Sequence, residues 1–332
     1  MPQTSKELVR ALFAGKPVSR PPFIPLLARA AAKFMQVPVR QMYSNPTAMA
    51  NSLQSCQRLF KYDGITIFYD STLEAEALGC QLSWGEDGPP RIMEPIVNNE
   101  GEIDRLDAAT IETRGRIPVV LEAAKRLGQI VGRDVALVGV ITGPVTLSRQ
   151  LMGSVFKSAA DDCGDGFQKM IGLCGEIALA LLRAYGELKM DGIVLADWEL
   201  ASLKPACYER VQPALRTLRN LAGFYDMPLI LQTRDVPARS LEAFFRLEVD
   251  AFAPSNAPSG SAGHLPPGTT LGRCIPPAAL LGDPDGIEKA VLDLAAGAGD
   301  SPCFLTTAGE VPPETPAPNL HRVMQVLSAH ET

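Results

Sequence analysis

Short apolar runs alternate with long helical segments along almost the whole of this 332-residue chain. The runs lack the polar alternation of half-exposed strands, as expected for parallel strands that are covered on both faces. Eight runs of four to seven residues occur, at positions 23–27, 64–68, 135–141, 192–196, 228–232, 251–254, 270–274 and 303–306. The helical segments include positions 109–127, 166–189, 208–222 and 287–296. This alternation predicts an α/β fold, a (β/α)8 TIM barrel.

The chain offers no linker or internal repeat, so we expect residues 1–332 to form a single domain. A doubly wound sheet is the second interpretation of the alternation, but no Gly-rich dinucleotide motif follows the first strand. One feature interrupts the alternation. Residues 80–84 and 91–94 flank the Gly/Pro-rich stretch 85–90, which predicts a small antiparallel hairpin inserted after strand 2.

The charge balance is acidic, with 37 Asp and Glu against 31 Lys and Arg and a formal net charge of −6. Because no basic cluster is present, nucleic acid is not an expected partner. The N-terminus is polar and no run of about 18 apolar residues occurs, so we expect no signal peptide, no membrane span and a cytoplasmic location. The seven cysteines are scattered without a CxxC pair, and most should be buried, reduced thiols.

Four segments together resemble the uroporphyrinogen decarboxylase superfamily. They are residues 63–70 (DGITIFYD), 74–80 (EAEALGC), 139–147 (GVITGPVTL) and 272–277 (GRCIPP) with the following 280–282 (LLG). Their order and spacing run through nearly the whole chain. The fold of this superfamily is a (β/α)8 barrel, which agrees with the strand count.

The chain departs from the pattern of the true decarboxylases in this superfamily. Those enzymes hold propionate carboxylates with an Arg-rich motif just after the first strand, whereas residues 25–33 (PLLARAAAK) keep only Arg29. They also carry a Gly-His-Gly-like turn after the last strand, where this chain has Ala308-Gly309-Glu310. A substrate with many carboxylates requires several convergent cations. We therefore do not expect porphyrinogen decarboxylation.

Residues 74–80, 143–147 and the tail 312–320 (PPETPAPNL) resemble the other branch, the corrinoid-dependent methyltransferases. The resemblance implies methyl transfer between a small methylated compound, for example a methoxylated one, or a small acceptor, and a cobalamin carried by a corrinoid partner protein. It leaves the substrate and the direction of transfer open. Two alternatives remain: a metal-free decarboxylase or lyase that binds a carboxylated substrate through Arg234, and a non-catalytic binding subunit.

In the coenzyme M members of this branch, zinc is held by a His-x-Cys pair after the fifth strand and a Cys after the eighth. The matching positions here are Gln232, Arg234 and Gly309, so the usual ligands are missing. A rebuilt zinc site is a possible interpretation, because relatives that cleave ethers mix carboxylate and thiolate ligands. Its candidate ligands are Asp235, Cys274 and Glu310. The competing interpretation makes them a helix cap, a buried thiol and a surface carboxylate.

Three carboxylates at predicted strand ends are the candidate catalytic groups, since barrels carry their chemistry at that edge. Asp197 and Glu199 are candidate general acid–base groups, and Asp70 matches the aspartate with which decarboxylases hold pyrrole N–H groups. The candidate substrate-binding residues are Glu76, Trp198, Gln232, Arg234, Gly143 and Thr146. Gly143 and Thr146 should lie at a helix N-terminus that can hold an anion or a corrinoid amide. Each candidate also has a purely structural interpretation, as a turn, a core side chain or a solvated carboxylate.

Overall fold

The computed structural model describes residues 3–85, 88–256, 265–296 and 301–330. Seven parallel strands form one sheet in the order β1-β4-β5-β6-β7-β8-β9, and β2 and β3 form a separate antiparallel pair. The strands are β1 (Gly64–Ile67), β2 (Leu82–Ser83), β3 (Arg91–Ile92), β4 (Ala136–Thr142), β5 (Gly192–Ala196), β6 (Leu229–Thr233), β7 (Ala251–Pro254), β8 (Thr270–Ile275) and β9 (Cys303–Thr307). The α/β class and the inserted hairpin are confirmed. The turn residues 86–87 of the hairpin lie outside the described residues.

The helices of the described residues are α1 (Ser5–Phe13), α2 (Arg29–Phe34), α3 (Val39–Ser44), α4 (Pro46–Phe60), α5 (Leu73–Ala77), α6 (Ile117–Ile130), α7 (Pro144–Met152), α8 (Val155–Asp162), α9 (Asp165–Glu187), α10 (Pro205–Phe224), α11 (Leu241–Phe245), α12 (Pro277–Leu280), α13 (Pro284–Ala296) and α14 (Ala317–Ala329). The segment predicted as a helix from residue 109 begins only at Ile117. Before it, Gly115 has a φ of +54°, and Pro118 favours the first turn of a helix over its interior.

The first predicted strand, residues 23–27, is not a regular strand. Phe23 and Leu26 make isolated parallel bridges to Leu305 and Glu310, and the Asp63 N–H donates to the carbonyl of Phe23 at 2.9 Å. This segment therefore contacts both edge strands of the sheet. Pro25 has no N–H to donate, which prevents a continuous ladder here.

Buried apolar side chains form two groups on the two faces of the sheet. The larger group packs between the strands and the surrounding helices, and the smaller group carries small side chains such as Val138, Val194 and Ala253 on the other face. Val9 and Leu12 of α1 join the smaller group. Both faces of the parallel strands are thus covered, as their apolar composition predicts.

Five cysteines are free and buried, and Cys163 is bonded to Cys207 with a Cα–Cα distance of 5.5 Å. The five free cysteines agree with the prediction that most of the thiols are buried and reduced, whereas Cys163 and Cys207 depart from it. None of the helices in the described part of the chain is both long and apolar enough to span a membrane.

Candidate functional site

A cavity of about 360 Å³ opens at the carboxyl ends of the parallel strands. The residues that line it follow six of the seven strands: Tyr69, Ser71, Thr146, Arg149, Gln150, Trp198, Glu199, Arg234, Ser255, Ala308 and Gly309. Three cavities are larger. Two of them, of about 710 and 880 Å³, are lined by residues at the opposite, amino ends of the strands, such as Pro302 and Pro228, and the third, of about 490 Å³, lies along α3 and α4. Parallel α/β sheets place their chemistry at the carboxyl edge, so the smaller cavity is the candidate site.

Helix α7 begins beside this cavity, and its N-terminus is capped by Asp197 from the end of β5. The Asp197 carboxylate accepts hydrogen bonds from the N–H of Val145 at 3.1 Å and from the N–H and hydroxyl of Thr146, both at 2.8 Å. Gly143 allows this approach, because a Cβ at position 143 would lie 2.2 Å from the Cβ of Asp197. The N-terminus of α7, which was predicted to hold an anion, thus binds the carboxylate of Asp197.

Asp197 is fully buried below the cavity, and it is absent from the residues that line it. Burial raises the pKa of this carboxyl to about 6, against the opposing effect of its hydrogen bonds from Thr146 and Val145. Its backbone is also fixed, because the Thr233 hydroxyl donates to the Asp197 carbonyl at 2.7 Å. The structure therefore gives Asp197 a supporting position, and its role as an acid or base stays a prediction.

Trp198 and Tyr69 form an aromatic wall of the cavity. Their rings meet edge to face, with centroids 6.0 Å apart and an interplanar angle of 85°. Burial raises the pKa of the Tyr69 hydroxyl, which stays protonated at neutral pH. Such a wall offers apolar area together with polar ring edges, which suits a small molecule with a flat body.

Charged groups at the cavity come from Glu199, Arg234 and Arg149. Arg234 Nη2 lies 3.8 Å from Glu199 Oε1, which is an ion pair but too long for a hydrogen bond. The Arg234 side chain is 69% exposed, and it donates no hydrogen bond to a described residue. Arg149, on α7, donates through Nη1 to the Gly153 carbonyl at 3.1 Å.

Gln150 is the neighbour of Arg149 on α7. Its Nε2 donates to the Ser71 carbonyl at 2.7 Å, whereas its buried Oε1 has no hydrogen-bond partner among the described residues. Sequence reasoning missed Arg149 and Gln150. They follow Thr146 by three and four positions, and this helical spacing was the signal that could have found them.

A second group of charged side chains lies behind the cavity. We call it the Arg116 network, and it consists of Arg116, Asp70 and Glu76, together with Thr72, which is bonded to Asp70. Arg116 Nη1 donates to Asp70 Oδ2 at 2.6 Å, and its Nε donates to Glu76 Oε2 at 2.7 Å. The other oxygen of Asp70 accepts from the N–H and hydroxyl of Thr72, at 2.9 and 2.8 Å. The guanidinium also lies 4.9 Å from the ring centroid of Trp84, a cation–π distance. Asp70 and Glu76 are thus brought together, but around an arginine that the sequence analysis did not single out.

Glu74, on the same short helix as Glu76, is fully buried, and both of its carboxylate oxygens accept hydrogen bonds from Thr142. The N–H of Thr142 donates to its Oε1 at 2.8 Å, and the Thr142 hydroxyl donates to its Oε2 at 2.6 Å. Burial without a cationic partner raises the pKa of the Glu74 carboxyl to about 7. This residue links the end of β4 to the loop after β1, and so supports two walls of the cavity.

The three positions that the resemblance assigns to zinc ligands converge in space. Arg234 and Gly309 both line the cavity, and Gln232 Nε2 donates to the Thr307 carbonyl at 2.7 Å, two residues before Gly309. Zinc binds thiolate, imidazole and carboxylate groups in proteins. An amide already bonded to the backbone, a guanidinium and a glycine do not fit this metal.

The alternative metal set of Asp235, Cys274 and Glu310 is not assembled. Within the described ranges, no three or more His, Cys, Asp and Glu side chains are close enough to hold a metal ion. Glu310 is bonded to the side-chain Nε and the backbone N–H of Arg29 instead. Cys274 is buried among the apolar side chains of the smaller group, which raises its pKa to about 12, and Asp235 is exposed. Cys274 and Glu310 therefore have surroundings that differ from the shared metal site that this interpretation requires.

Comparison with known proteins assigns a family to this fold. The sequence profile described as Uroporphyrinogen decarboxylase (URO-D) matches residues 4–330. The methylcobamide:CoM methyltransferase MtaA of Methanosarcina barkeri is 29% identical over 202 residues, 58% of this chain and 58% of that protein. The match therefore spans little more than half of that relative. The methylcobamide:CoM methyltransferase MtbA of Methanosarcina mazei is 23% identical over 337 residues, 97% of each chain.

A solved structure supports the same assignment at the level of the fold. A methyltransferase from Methanosarcina mazei superposes with a TM-score of 0.88 at 21% identity, covering 100% of both chains. The profile match extends over almost the entire chain, from α1 to the end of α14. This chain therefore belongs to the uroporphyrinogen decarboxylase (URO-D) family.

Proposed function

We propose that this chain is a corrinoid-dependent methyltransferase, which moves a methyl group between a small molecule in the cavity and a cobalamin carried by a partner protein. One observation carries the proposal. Positions 234 and 309, which match zinc-ligand positions of the coenzyme M methyltransferases, line one cavity at the carboxyl edge of the sheet. This cavity would then be the reaction centre of this branch, with other residues in place of its zinc ligands. Relatives named as methylcobamide:CoM methyltransferases support the assignment.

The residues of the cavity suit the binding and orientation of one small molecule. A volume of about 360 Å³ lies at the low end of the range for small-molecule sites, so the corrinoid would approach from outside the opening. Trp198 and Tyr69 would exclude water from one side of the small molecule, and Arg234 and Glu199 would fix its polar end. The corrinoid would supply the cobalt that accepts or gives the methyl group. Correct alignment of the two reactants accounts for a large share of such a rate enhancement.

We also propose that residues 1–332 form one domain, and that segment 23–27 takes the place of the eighth strand and closes the barrel. Its backbone contacts to β9 and to the start of β1 support this closure. A ring closed in this way would hold Arg29 and Glu310 at the rim next to the cavity.

The proposal is tested with purified protein and free cobalamins in place of the partner. Methylcobalamin with small thiols, and reduced cobalamin with methylated donors, are incubated with the protein while the visible spectrum of the corrinoid is followed. We expect the corrinoid to lose or gain its methyl group faster than in the protein-free reaction. This acceleration should be lost in Arg234→Gln and retained in Arg246→Gln. Rates equal to the protein-free control, for all donors and acceptors and with corrinoid proteins supplied, would overturn the proposal.

A second candidate function, a metal-free lyase acting on a carboxylated substrate, is favoured by one observation. The guanidinium of Arg234 occupies a position that in zinc-dependent relatives belongs to a ligand, and a guanidinium binds carboxylates. Carbon dioxide release from a small acid without any corrinoid would establish this alternative.

A further inference from the structure

We infer that the cavity binds the carboxylate of a small acid with a flat apolar body, through Arg234 and Arg149. This inference rests on the proposed function, because it names the class of small molecule that enters the same site.

The charged residues among those lining the cavity are two arginines and one glutamate. Arg234 directs no hydrogen bond to a described residue, and its approach to Glu199 is 3.8 Å. Arg149 uses one of its donors on the Gly153 carbonyl. Because each guanidinium has five N–H donors, most of these donors remain available to a ligand. The described part of the lining thus has an excess of positive donors.

The shape of the donor group selects a carboxylate. A guanidinium is planar and presents two parallel N–H groups, which match the two oxygens of a carboxylate. Trp198 and Tyr69 provide the wall against which a flat apolar body can pack, with Ala308 beside them in the lining. The unpartnered Oε1 of Gln150 can accept a hydrogen bond from a hydroxyl or amine on the same molecule.

Glu199 provides an internal check on this assignment. Its carboxylate is the nearest anion to Arg234, so it competes with a ligand carboxylate for the same guanidinium. Neutralising Glu199 should therefore tighten the binding of an acid, whereas neutralising either arginine should weaken it. A site for a cation or a neutral ligand would respond in the opposite direction or not at all.

The experiment titrates benzoate, benzamide and benzenesulfonate into the full-length protein, with binding followed by calorimetry and by tryptophan fluorescence. Benzamide has nearly the shape of benzoate without its charge, and benzenesulfonate has a tetrahedral anion. We expect benzoate to bind at least about tenfold more tightly than benzamide, and also more tightly than benzenesulfonate. Arg234→Gln should abolish the preference for benzoate, Arg149→Gln should reduce it severalfold, and Glu199→Gln should increase it.

The matched control is Arg246→Gln, which removes one positive charge from an exposed ion pair with Glu242 outside the cavity lining. It should leave the benzoate preference unchanged, and thermal unfolding of every variant establishes that it is folded. Equal binding of benzoate and benzamide to the wild-type protein, or a benzoate preference that survives in folded Arg234→Gln, would overturn the inference. Tighter binding of benzenesulfonate would overturn the assignment to carboxylates.

These measurements separate the inference from the proposed function, because they contain no corrinoid. Carboxylate binding without methyl transfer would remove the proposed reaction and leave the binding site in place. Methyl transfer by a protein with no preference for benzoate would keep the proposed reaction and overturn the inferred carboxylate site.

Discussion

Arg116 and Arg234 both lie near the carboxyl ends of the strands, but their surroundings differ. Arg116 is 8% exposed and bonded to Asp70 and Glu76, at 2.6 and 2.7 Å. Arg234 is 69% exposed, and its nearest carboxylate, that of Glu199, lies 3.8 Å away. The first arginine is held in place by its partners, and the second donates no hydrogen bond to a described residue.

The comparison shows that residue type alone does not distinguish support from recognition. A buried ion pair is costly to break, since the remaining charge has neither water nor a partner. An exposed pair contributes little to stability, so its residues are free to serve a ligand. The Arg116 network should therefore control the stability of the cavity wall, and the pair of Arg234 and Glu199 should control what the cavity binds.

The largest effect is expected from Arg116→Met, which removes the charge from the centre of its network. Asp70 and Glu76 would then lack their cation, and Asp70 is only 3% exposed. We expect a loss of about 3–5 kcal/mol in the free energy of unfolding, measured with urea. Adding Asp70→Asn should recover part of that loss, because it removes the uncompensated charge.

Arg114→Met is the matched control, two residues earlier in the chain. Arg114 pairs with Asp107 at the surface, where the carboxylate is 59% exposed. We expect it to cost less than about 1 kcal/mol. Equal losses for the two variants would contradict the distinction between a buried and an exposed pair.

The next effect concerns the floor of the cavity, where Gly143→Ala should destabilise the protein. The added methyl would clash with Asp197, at 2.2 Å from its Cβ, and would displace the carboxylate that caps α7. We expect a cost of about 1–3 kcal/mol. Gly128→Ala is the control, because its Cβ meets nothing within 4 Å inside α6 and should stabilise by about 0.5–1 kcal/mol. A Gly143→Ala protein as stable as the wild type would show that Asp197 is not needed as a cap.

The pH dependence of stability should report on Glu74. Its pKa is about 7 in the folded state, against about 4.3 when unfolded. Between these values the folded state holds more protons, so stability should fall as pH rises from about 4 to 7, and level off above that range. Glu74→Gln removes this contribution, since its amide can accept from the Thr142 N–H and donate to the Thr142 hydroxyl.

The stability difference between Glu74→Gln and the wild type should change by about 3 kcal/mol between pH 4 and pH 8, in favour of the variant at high pH. Asp197→Asn gives the contrasting case. Both oxygens of Asp197 accept from N–H donors of α7, so an amide NH2 would face one of them unfavourably. That variant should lose about 1–3 kcal/mol at pH 8. Identical pH profiles of stability for the wild type and Glu74→Gln would contradict the raised pKa of the Glu74 carboxyl.

The seven strands of the parallel sheet were predictable because each is a short apolar run whose side chains are buried on both faces. The run at 23–27 has the same apolar character, but Pro25 interrupts its ladder, which depends on backbone donors and not on hydropathy. Candidate site residues were predictable to the extent that parallel strands end at one edge, which brought Trp198, Glu199 and Arg234 to one cavity.

The partners of those residues were not predictable, because they come from distant parts of the chain. Arg116 and Asp70 are 46 positions apart, and Arg29 and Glu310 are 281 apart. Arg29 is the arginine that the chain keeps from the decarboxylase motif, Glu310 belongs to its altered last turn, and the two form an ion pair with each other. No local pattern encodes such a pairing, and one sequence cannot reveal it.

The smallest effect on stability, and the sharpest test of the comparison, is expected at Arg234 and Glu199, whose side chains are 69% and 27% exposed. Arg234→Gln and Glu199→Gln should each change the free energy of unfolding by no more than about 0.5 kcal/mol, because both side chains keep access to water. Their coupling in a double-mutant cycle should be below about 0.5 kcal/mol, whereas the coupling between Arg116 and Asp70 should exceed about 1 kcal/mol. A strong coupling between Arg234 and Glu199 would mean that the guanidinium is committed to its own carboxylate. In that case the N–H donors of Arg234 that a ligand needs would already be in use. Arg234 would then have the same supporting role as Arg116.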